Sequence, residues 1–318
     1  MRRALVVGID DYAHAATLHG CVNDAEAVSQ LLAVNHDGSP NFSVRTLTST
    51  AEQHISRTDL LRAIDELFKQ EADMALLYFS GHGTENDLGG YLVTSDASAY
   101  AEGVAMSDLM TKANKSKVKQ AVVMLDSCHS GALGQVPAIA SNDTAMLREG
   151  ISILTASRAT ESALETGGSG LFTALVCAAL EGGAADVLGD VNAAGIYSYV
   201  DESLGPWEQR PLFKTHVSRL LPIRRASPPI PVEVVRRLPE WFPTAGAEFA
   251  LDPGFEPTEE PRDSEKEAVF DCLQKCARAR LVQPVGEEHM YYAAMNGKAC
   301  QLTALGRHYW LRGKKGQL

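Results

Sequence analysis

Short runs of nearly unbroken hydrophobicity, spaced by stretches with helical periodicity, set the plan of this chain. Arg3–Ile9, Met74–Phe79, Ala121–Leu125 and Ile151–Ala156 read as strands buried on both faces, the pattern of a parallel sheet covered by helices. Phe42–Leu47 alternates and predicts a further strand, and PLFKTHVSRL (Pro211–Leu220) predicts a sixth. NDAEAVSQLLAV predicts a helix opening on Asn23 or Asp24. RTDLLRAIDELFKQ, begun by Ser56 or Thr58, sets Leu60, Leu61, Ile64, Leu67 and Phe68 on one face of another. Further helices are expected over Ser107–Asn114, Gly170–Leu180 and Ile196–Leu204, with a short apolar segment at Tyr91–Val93. Gly131–Gly150 has no strong period and reads as a long, mobile loop. Strands alternating with helices in this order predict an α/β fold, with a mostly parallel six-stranded sheet sandwiched by helices.

The composition shifts at Pro222. The stretch from there to Pro261 holds nine of the chain's fourteen prolines and is acidic. It reads as a partly extended connector, although Trp241, Phe242 and Phe249 suggest that it lies on something. SEKEAVFDCLQKCARAR, from Ser264, is then a clear helix, followed by two short strands and a closing helix or hairpin. The expected organisation is a domain over 1–221, a Pro-rich acidic linker over 222–261 and a small domain over 262–318.

Charge and cysteine usage narrow the function classes. A net charge of -11 argues against indiscriminate nucleic-acid binding by the whole molecule. Residues 262–318 carry ten Lys/Arg against six Asp/Glu, too mild an excess to imply a phosphate-binding surface. The six cysteines show no paired framework, and MRRALVVGIDDY breaks at Asp10 and Asp11, too early for a secretory leader. No segment approaches membrane-spanning length, so a cytoplasmic protein with reduced thiols is expected.

Two apolar strands end in chemistry. Met74–Phe79 runs into Ser80, Gly81, His82 and Gly83, and Ala121–Leu125 runs into Asp126, Ser127 and Cys128. Open α/β sheets hold their ligands at the carboxyl ends of strands, and adjacent strands are only about 4.8 Å apart. A thiol nucleophile needs a histidine to activate it and amide donors for the oxyanion. Cys128, His82 and the amides of Gly83 and Cys128 fit those roles, and the small residues Gly81, Gly83 and Gly131 permit close backbone approach.

YFSGHG and DSCHSG resemble the histidine and cysteine motifs of caspase-like peptidases, and the Asp-Ser-Cys-His-Ser-Gly form is that of metacaspases. The resemblance covers roughly residues 3–221 and includes VVGIDDY, the stretch His19–Ala25, ILTASRATESALE and GLFTALVCAAL. It implies a caspase-like (caspase-hemoglobinase) fold and a cysteine endopeptidase using a Cys-His dyad. In metacaspases a pocket for a basic residue before the scissile bond is built at positions that correspond here to Cys21, Asp24, Ser80 and Asp126. Two carboxylates beside a nucleophilic cysteine disfavour its thiolate until a cation neutralises them. A substrate Arg does so as a fork and Lys as a point charge. A helix N-cap is the competing reading of Asp24.

The resemblance also implies a loop cut during activation. Arg148 is the one basic residue in Gly131–Gly150 and so the candidate self-cleavage site. No cofactor is expected to be required. Some metacaspases bind activating calcium, but Glu85, Asp87, Asp96 and Glu102 are scattered without an EF-hand-like run. Glu161 and Glu165 read as ordinary solvated acids. Cys272, Cys276, His289 and Cys300 match no usual zinc spacing, so they read as core. Residues 262–318 resemble a winged-helix-like module, and their mild charge favours a regulatory protein partner over nucleic acid. The resemblance to bacterial caspase-like proteins implies a defence or cell-death setting, with activation by proteolysis. The competing reading is a scaffold that signals, or binds DNA, through the carboxyl-terminal domain.

Overall fold

The computed structural model describes residues 1–50, 52–99, 101–127, 147–156, 165–166, 169–204 and 210–318. The chain divides into two units, Met1–Ala185 with Gly189–Ser227, and Asp186–Leu188 with Pro228–Leu318. In chain order the first unit comprises β1 (Arg2–Gly8), α1 (Cys21–Ala33), β2 (Ser43–Thr48), α2 (Arg57–Lys69), β3 (Met74–Ser80), β4 (Gly83–Asn86), β5 (Gly89–Ser98) and β6 (Ala101–Ala105). It continues with α3 (Met106–Lys115), β7 (Gln120–Asp126), β8 (Ile151–Thr155), β9 (Glu165–Thr166), β10 (Ser169–Gly170), α4 (Leu171–Ala178), β11 (Asp190–Val191), α5 (Ala193–Ser203), β12 (Leu212–His216) and β13 (Arg224–Arg225).

Six strands form the central sheet in the order β12-β8-β7-β3-β1-β2. All neighbours are parallel except β12, which runs antiparallel to β8. The apolar runs are continuous because both faces are covered. Leu5, Val7, Leu77, Phe79, Val123 and Leu125 pack with Leu60, Ile64, Leu109 and Met110 of α2 and α3. Their alternate neighbours Val6, Leu76, Tyr78, Val122 and Met124 pack with Val28, Leu32, Val176, Ile196 and Val200 of α1, α4 and α5. This is the period-two alternation of a strand, read out as two separate cores. The apolar segment at Tyr91–Val93 belongs to a second, three-stranded antiparallel sheet, β4-β5-β6.

Helix starts follow capping chemistry. Ser56 caps α2 by accepting from Asp59 N, and Asn192 caps α5 by accepting from Gly195 N at 3.0 Å. Helix α1 opens at Cys21, before either expected residue, because its cap comes from elsewhere in the chain. The Asp10 carboxylate accepts from Cys21 N at 2.9 Å and Val22 N at 3.4 Å. Asp24 is therefore inside the first turn and is not the N-cap.

The second unit contains α6 (Val232–Arg236), α7 (Leu238–Trp241), β14 (Glu248–Ala250), α8 (Ser264–Arg278), β15 (Val282–Val285), α9 (Met290–Met295), β16 (Ala299–Leu302) and α10 (Ala304–Lys314). The expected connector over 222–261 is corrected here, because most of it is folded. Ile230, Val235, Leu238, Trp241, Phe242, Leu251 and Phe255 join Phe270, Leu273, Cys276, Cys300 and Trp310 in this unit's core. Its prolines help to start helices: Pro231 stands at the N-cap of α6, and Pro239 and Pro253 occupy first-turn positions. The strands pair antiparallel as β14-β16-β15. Helix α9 joins β15 to β16. Among the described residues no helix is long and apolar enough to cross a membrane.

Candidate active site

Three adjacent strands end in register, with Gly8 opposite Ser80 and Ser80 opposite Asp126. Counting in twos from Tyr78 and Met124 places Ser80 and Asp126 on the face covered by α1 and α4. A Cβ on Gly8 would lie 2.2 Å from the Cys21 carbonyl oxygen, so glycine lets the start of α1 sit against the strand end. Asp24 and Cys21 are thereby brought beside Ser80.

The result is a buried pair of carboxylates. Asp24 is 2% exposed and Asp126 6%, and a single point at the Gly170 Cβ position is 3.3 Å from Asp24 Oδ2 and 2.3 Å from Asp126 Oδ2. Each acid is held by donors. Ser80 Oγ donates to Asp24 Oδ2 at 3.1 Å, and Gly170 N donates to both Asp24 oxygens at 3.3 Å. Thr173 Oγ1 donates to Asp126 Oδ2 at 2.6 Å. Gly170 and Thr173 lie at the start of α4, whose dipole favours negative charge there. Burial, followed by Asp10, Asp24 and Asp126, pushes the Cys21 thiol well above its ordinary range, against the pull of its hydrogen bond with Ser80. Cys21 is therefore a neutral thiol beside the carboxylate pair. The structure thus brings together Cys21, Asp24, Ser80 and Asp126. It also adds Gly170 and Thr173, which the sequence reading missed.

His82 lies in the two-residue link, Gly81–His82, between β3 and β4. Its Nε2 lies 2.7 Å from the Ala16 carbonyl oxygen. A carbonyl can only accept, so this bond assigns the proton to Nε2 and leaves Nδ1 as the basic nitrogen of the neutral ring. The His82 backbone N–H donates to the Tyr12 hydroxyl at 2.8 Å, and that hydroxyl donates to the Ile9 carbonyl at 2.9 Å. The two rings lie 4.7 Å apart between centroids. A Cβ on Gly81 would lie 2.6 Å from the Tyr12 hydroxyl, which accounts for the first glycine of SGHG. The loop carrying Tyr12 and Ala16 is tied down by Ser49 Oγ, which accepts from Asp10 N at 2.8 Å and Asp11 N at 3.1 Å. Cys128 and its amide lie outside the described residues. Gly83 opens β4, opposite Leu92.

A model of the caspase domain, peptidase C14, matches residues 1–219. The chain belongs to the caspase-domain family, a family of cysteine-type endopeptidases. It is 30% identical to metacaspase-1A of Neurospora crassa over 156 residues, covering 44% of this chain and 34% of that protein. It is also 30% identical to metacaspase-1 of Saccharomyces cerevisiae over 152 residues, covering 43% and 35%. The chain thus spans about a third of the length of these curated relatives. Caspase-1 from Spodoptera frugiperda shares the fold with a TM-score of 0.52 at 13% identity, covering 71% of this chain and 90% of that one.

Several other candidate residues are engaged away from this site. Arg148 closes the end of α3: its guanidinium donates to the carbonyls of Ala113 at 3.2 Å and Val118 at 2.7 Å and to Ser116 Oγ at 2.9 Å. Presenting Arg148 to a protease site would require these bonds to break. Asp96 accepts from Arg57 N at 2.9 Å and from Thr94 Oγ1 at 2.7 Å, and Glu102 accepts from Asn86 Nδ2 at 3.0 Å. Glu85 and Asp87 are exposed. No group of three acids, histidines or cysteines that could hold a metal ion occurs among the described residues. Glu161 lies outside the described residues, as does the Glu165 side chain. Cys276 and Cys300 are buried in the second unit's core, and burial pushes each thiol up to about 12.

Proposed function

We propose that this chain is a cysteine endopeptidase that cleaves peptide bonds after Arg or Lys. The observation that carries the reading is the buried carboxylate pair, Asp24 and Asp126, flanked by Ser80 and Cys21 beside the strand end that bears His82. In this mechanism Cys128 is the nucleophile. His82 Nδ1 takes the thiol proton, the thiolate attacks the scissile carbonyl carbon, and the amides of Gly83 and Cys128 hold the oxyanion. His82 then protonates the leaving amine, leaving a thioester. It next activates water, whose attack releases the acid and restores the thiol.

Selectivity follows from charge. A pair of buried carboxylates near a forming thiolate disfavours that thiolate. A substrate guanidinium or ammonium removes that penalty as it binds. An aspartate side chain would add a third negative charge. The reading requires no cofactor, and the carbonyl of Ala16 supports it by orienting His82.

We also infer a regulatory protein partner for the second unit, where Tyr291, Tyr292, Leu305 and Leu311 are exposed. By family analogy alone we place the enzyme in regulated defence or cell-death proteolysis. The test is a set of fluorogenic peptides with Arg, Lys or Asp before the leaving group, assayed before and after limited proteolysis. Hydrolysis of the Arg and Lys peptides that is lost in Cys128→Ala is expected. Preference for Asp, or full activity in Cys128→Ala, would sink the reading.

A further inference from the structure

The carboxylate pair is backed by a hydroxyl chain that lies inside the protein. Asp126 accepts from Thr173 Oγ1 at 2.6 Å, and Thr173 Oγ1 in turn contacts the Tyr78 hydroxyl. Thr173 is 1% exposed and Tyr78 is fully buried. A carboxylate only accepts, so the single proton of Thr173 is committed to Asp126. The Tyr78 proton must then point at Thr173. Burial, followed by Asp126 and Asp24, pushes the Tyr78 phenol well above its ordinary range, so it remains a donor. Tyr78, Thr173 and Asp126 therefore form a one-way relay of donors that ends on a carboxylate.

Nothing in the apolar packing of α4 requires this hydroxyl. Phe172 and Val176 already seat the helix on the sheet, and a threonine in a helix ordinarily turns its hydroxyl back to a carbonyl one turn earlier. Here it reaches off the helix to an acid instead. We propose that Thr173 is the positioning residue for basic-substrate recognition: its hydroxyl, itself oriented by Tyr78, holds the Asp126 carboxylate in the one orientation that receives the substrate's cation. This rests on the reading of Asp24 and Asp126 as the pocket for Arg or Lys. Thr173 acts through Asp126 and touches no reacting atom. Its removal weakens capture of the basic side chain and leaves the steps at Cys128 and His82 unchanged.

Kinetics on the full chain test this with Thr173→Val, Thr173→Ser and Tyr78→Phe, using an Arg fluorogenic peptide and agmatine as a competitive guanidinium probe. Thr173→Val keeps the shape and removes the donor. It should raise both KM and the agmatine inhibition constant about tenfold, with kcat within about twofold, as expected for a lost hydrogen bond to a charged group. Thr173→Ser should restore wild-type values, which a purely packing role would not allow. Tyr78→Phe should raise KM by about two- to threefold, and it carries the test if Thr173→Val does not accumulate as folded protein. Unchanged KM and agmatine inhibition in the folded variants, with wild type still preferring Arg, overturn the role of Thr173 and leave the pocket standing. A wild-type enzyme with no preference for Arg or Lys over Asp overturns the pocket, and the role of Thr173 with it.

Discussion

Gly170→Ala is the sharpest perturbation of the carboxylate pair, because glycine there is required by space alone. Gly170 has φ -65° and ψ 132°, a conformation open to any residue, so alanine brings no backbone strain. The added Cβ would stand 2.3 Å from Asp126 Oδ2, 3.2 Å from its Cγ and 3.3 Å from Asp24 Oδ2. Ordinary contact demands that Asp126 retreat by roughly 1 Å, which takes the bond from Thr173 beyond hydrogen-bonding range. Overpacking costs about 1–3 kcal/mol and a lost charged hydrogen bond about 1.5–3 kcal/mol. With partial relaxation, a net loss of about 3 kcal/mol is expected. For a unit of this size that lowers the calorimetric midpoint by about 6–12 °C. A 1 Å misplacement in the pocket should also cut kcat/KM for an Arg peptide about a hundredfold. The decisive measurement is a double-mutant cycle with Asp126→Ala. Deleting the carboxylate removes the clash, so Gly170→Ala should cost almost nothing in that background. An undiminished cost there, or a wild-type midpoint for Gly170→Ala alone, would refute the arrangement.

Three further outcomes follow from contacts outside the pocket. Tyr12→Phe removes the acceptor of the His82 N–H and the donor to Ile9, and should lower kcat about tenfold or more with KM little changed; a raised KM at constant kcat would contradict it. Arg148→Ala should destabilise the caspase domain by about 2 kcal/mol in a calorimetric scan without altering the fragment pattern on a gel, since its guanidinium closes α3. Glu256, 7% exposed, has its carboxyl pushed up by burial and then by Glu259. Its folded-state stabilisation is complete below the ordinary carboxylate range and is lost as pH rises through the raised folded value. Glu256→Gln should therefore raise the second unit's unfolding midpoint at neutral pH and flatten its pH dependence over that window.

The features legible in the sequence were those written in repeated side-chain types. The runs Met74–Phe79 and Ala121–Leu125 stood out because a strand covered on both faces must be apolar at every position. Tyr12 and Ala16 were hidden for opposite reasons. Tyr12 looks like any loop aromatic, and Ala16 acts through a backbone carbonyl that no residue type announces. Thr173 sits within an apolar helical run, where a lone threonine attracts no notice. In the 222–261 stretch a run of prolines suggests an extended chain, yet several mark helix starts. The signal that could have corrected this was the cluster of Trp241, Phe242, Phe249 and Phe255, too much apolar surface for a solvated connector.

On the proposed reading, the two functions of the site are braced by different cores. Tyr12, which fixes the backbone of His82, belongs to the cluster between the sheet and α2 and α3. Tyr78, which orients Thr173 and through it Asp126, belongs to the cluster beneath α1, α4 and α5. Strand parity makes this division unavoidable: Phe79 and Leu125 point to one side, and Ser80 and Asp126, one residue later, point to the other. A register slip of one residue would exchange the two sets and put the acids among the apolar residues of the wrong core. Under the proposed function, the paired strands β3 and β7 therefore hold selection apart from chemistry while ending both at the same edge. The proposed function then expects changes in the α4 layer to retune the preferred side chain without disturbing the histidine, and changes around Tyr12 to slow the reaction without changing what is bound.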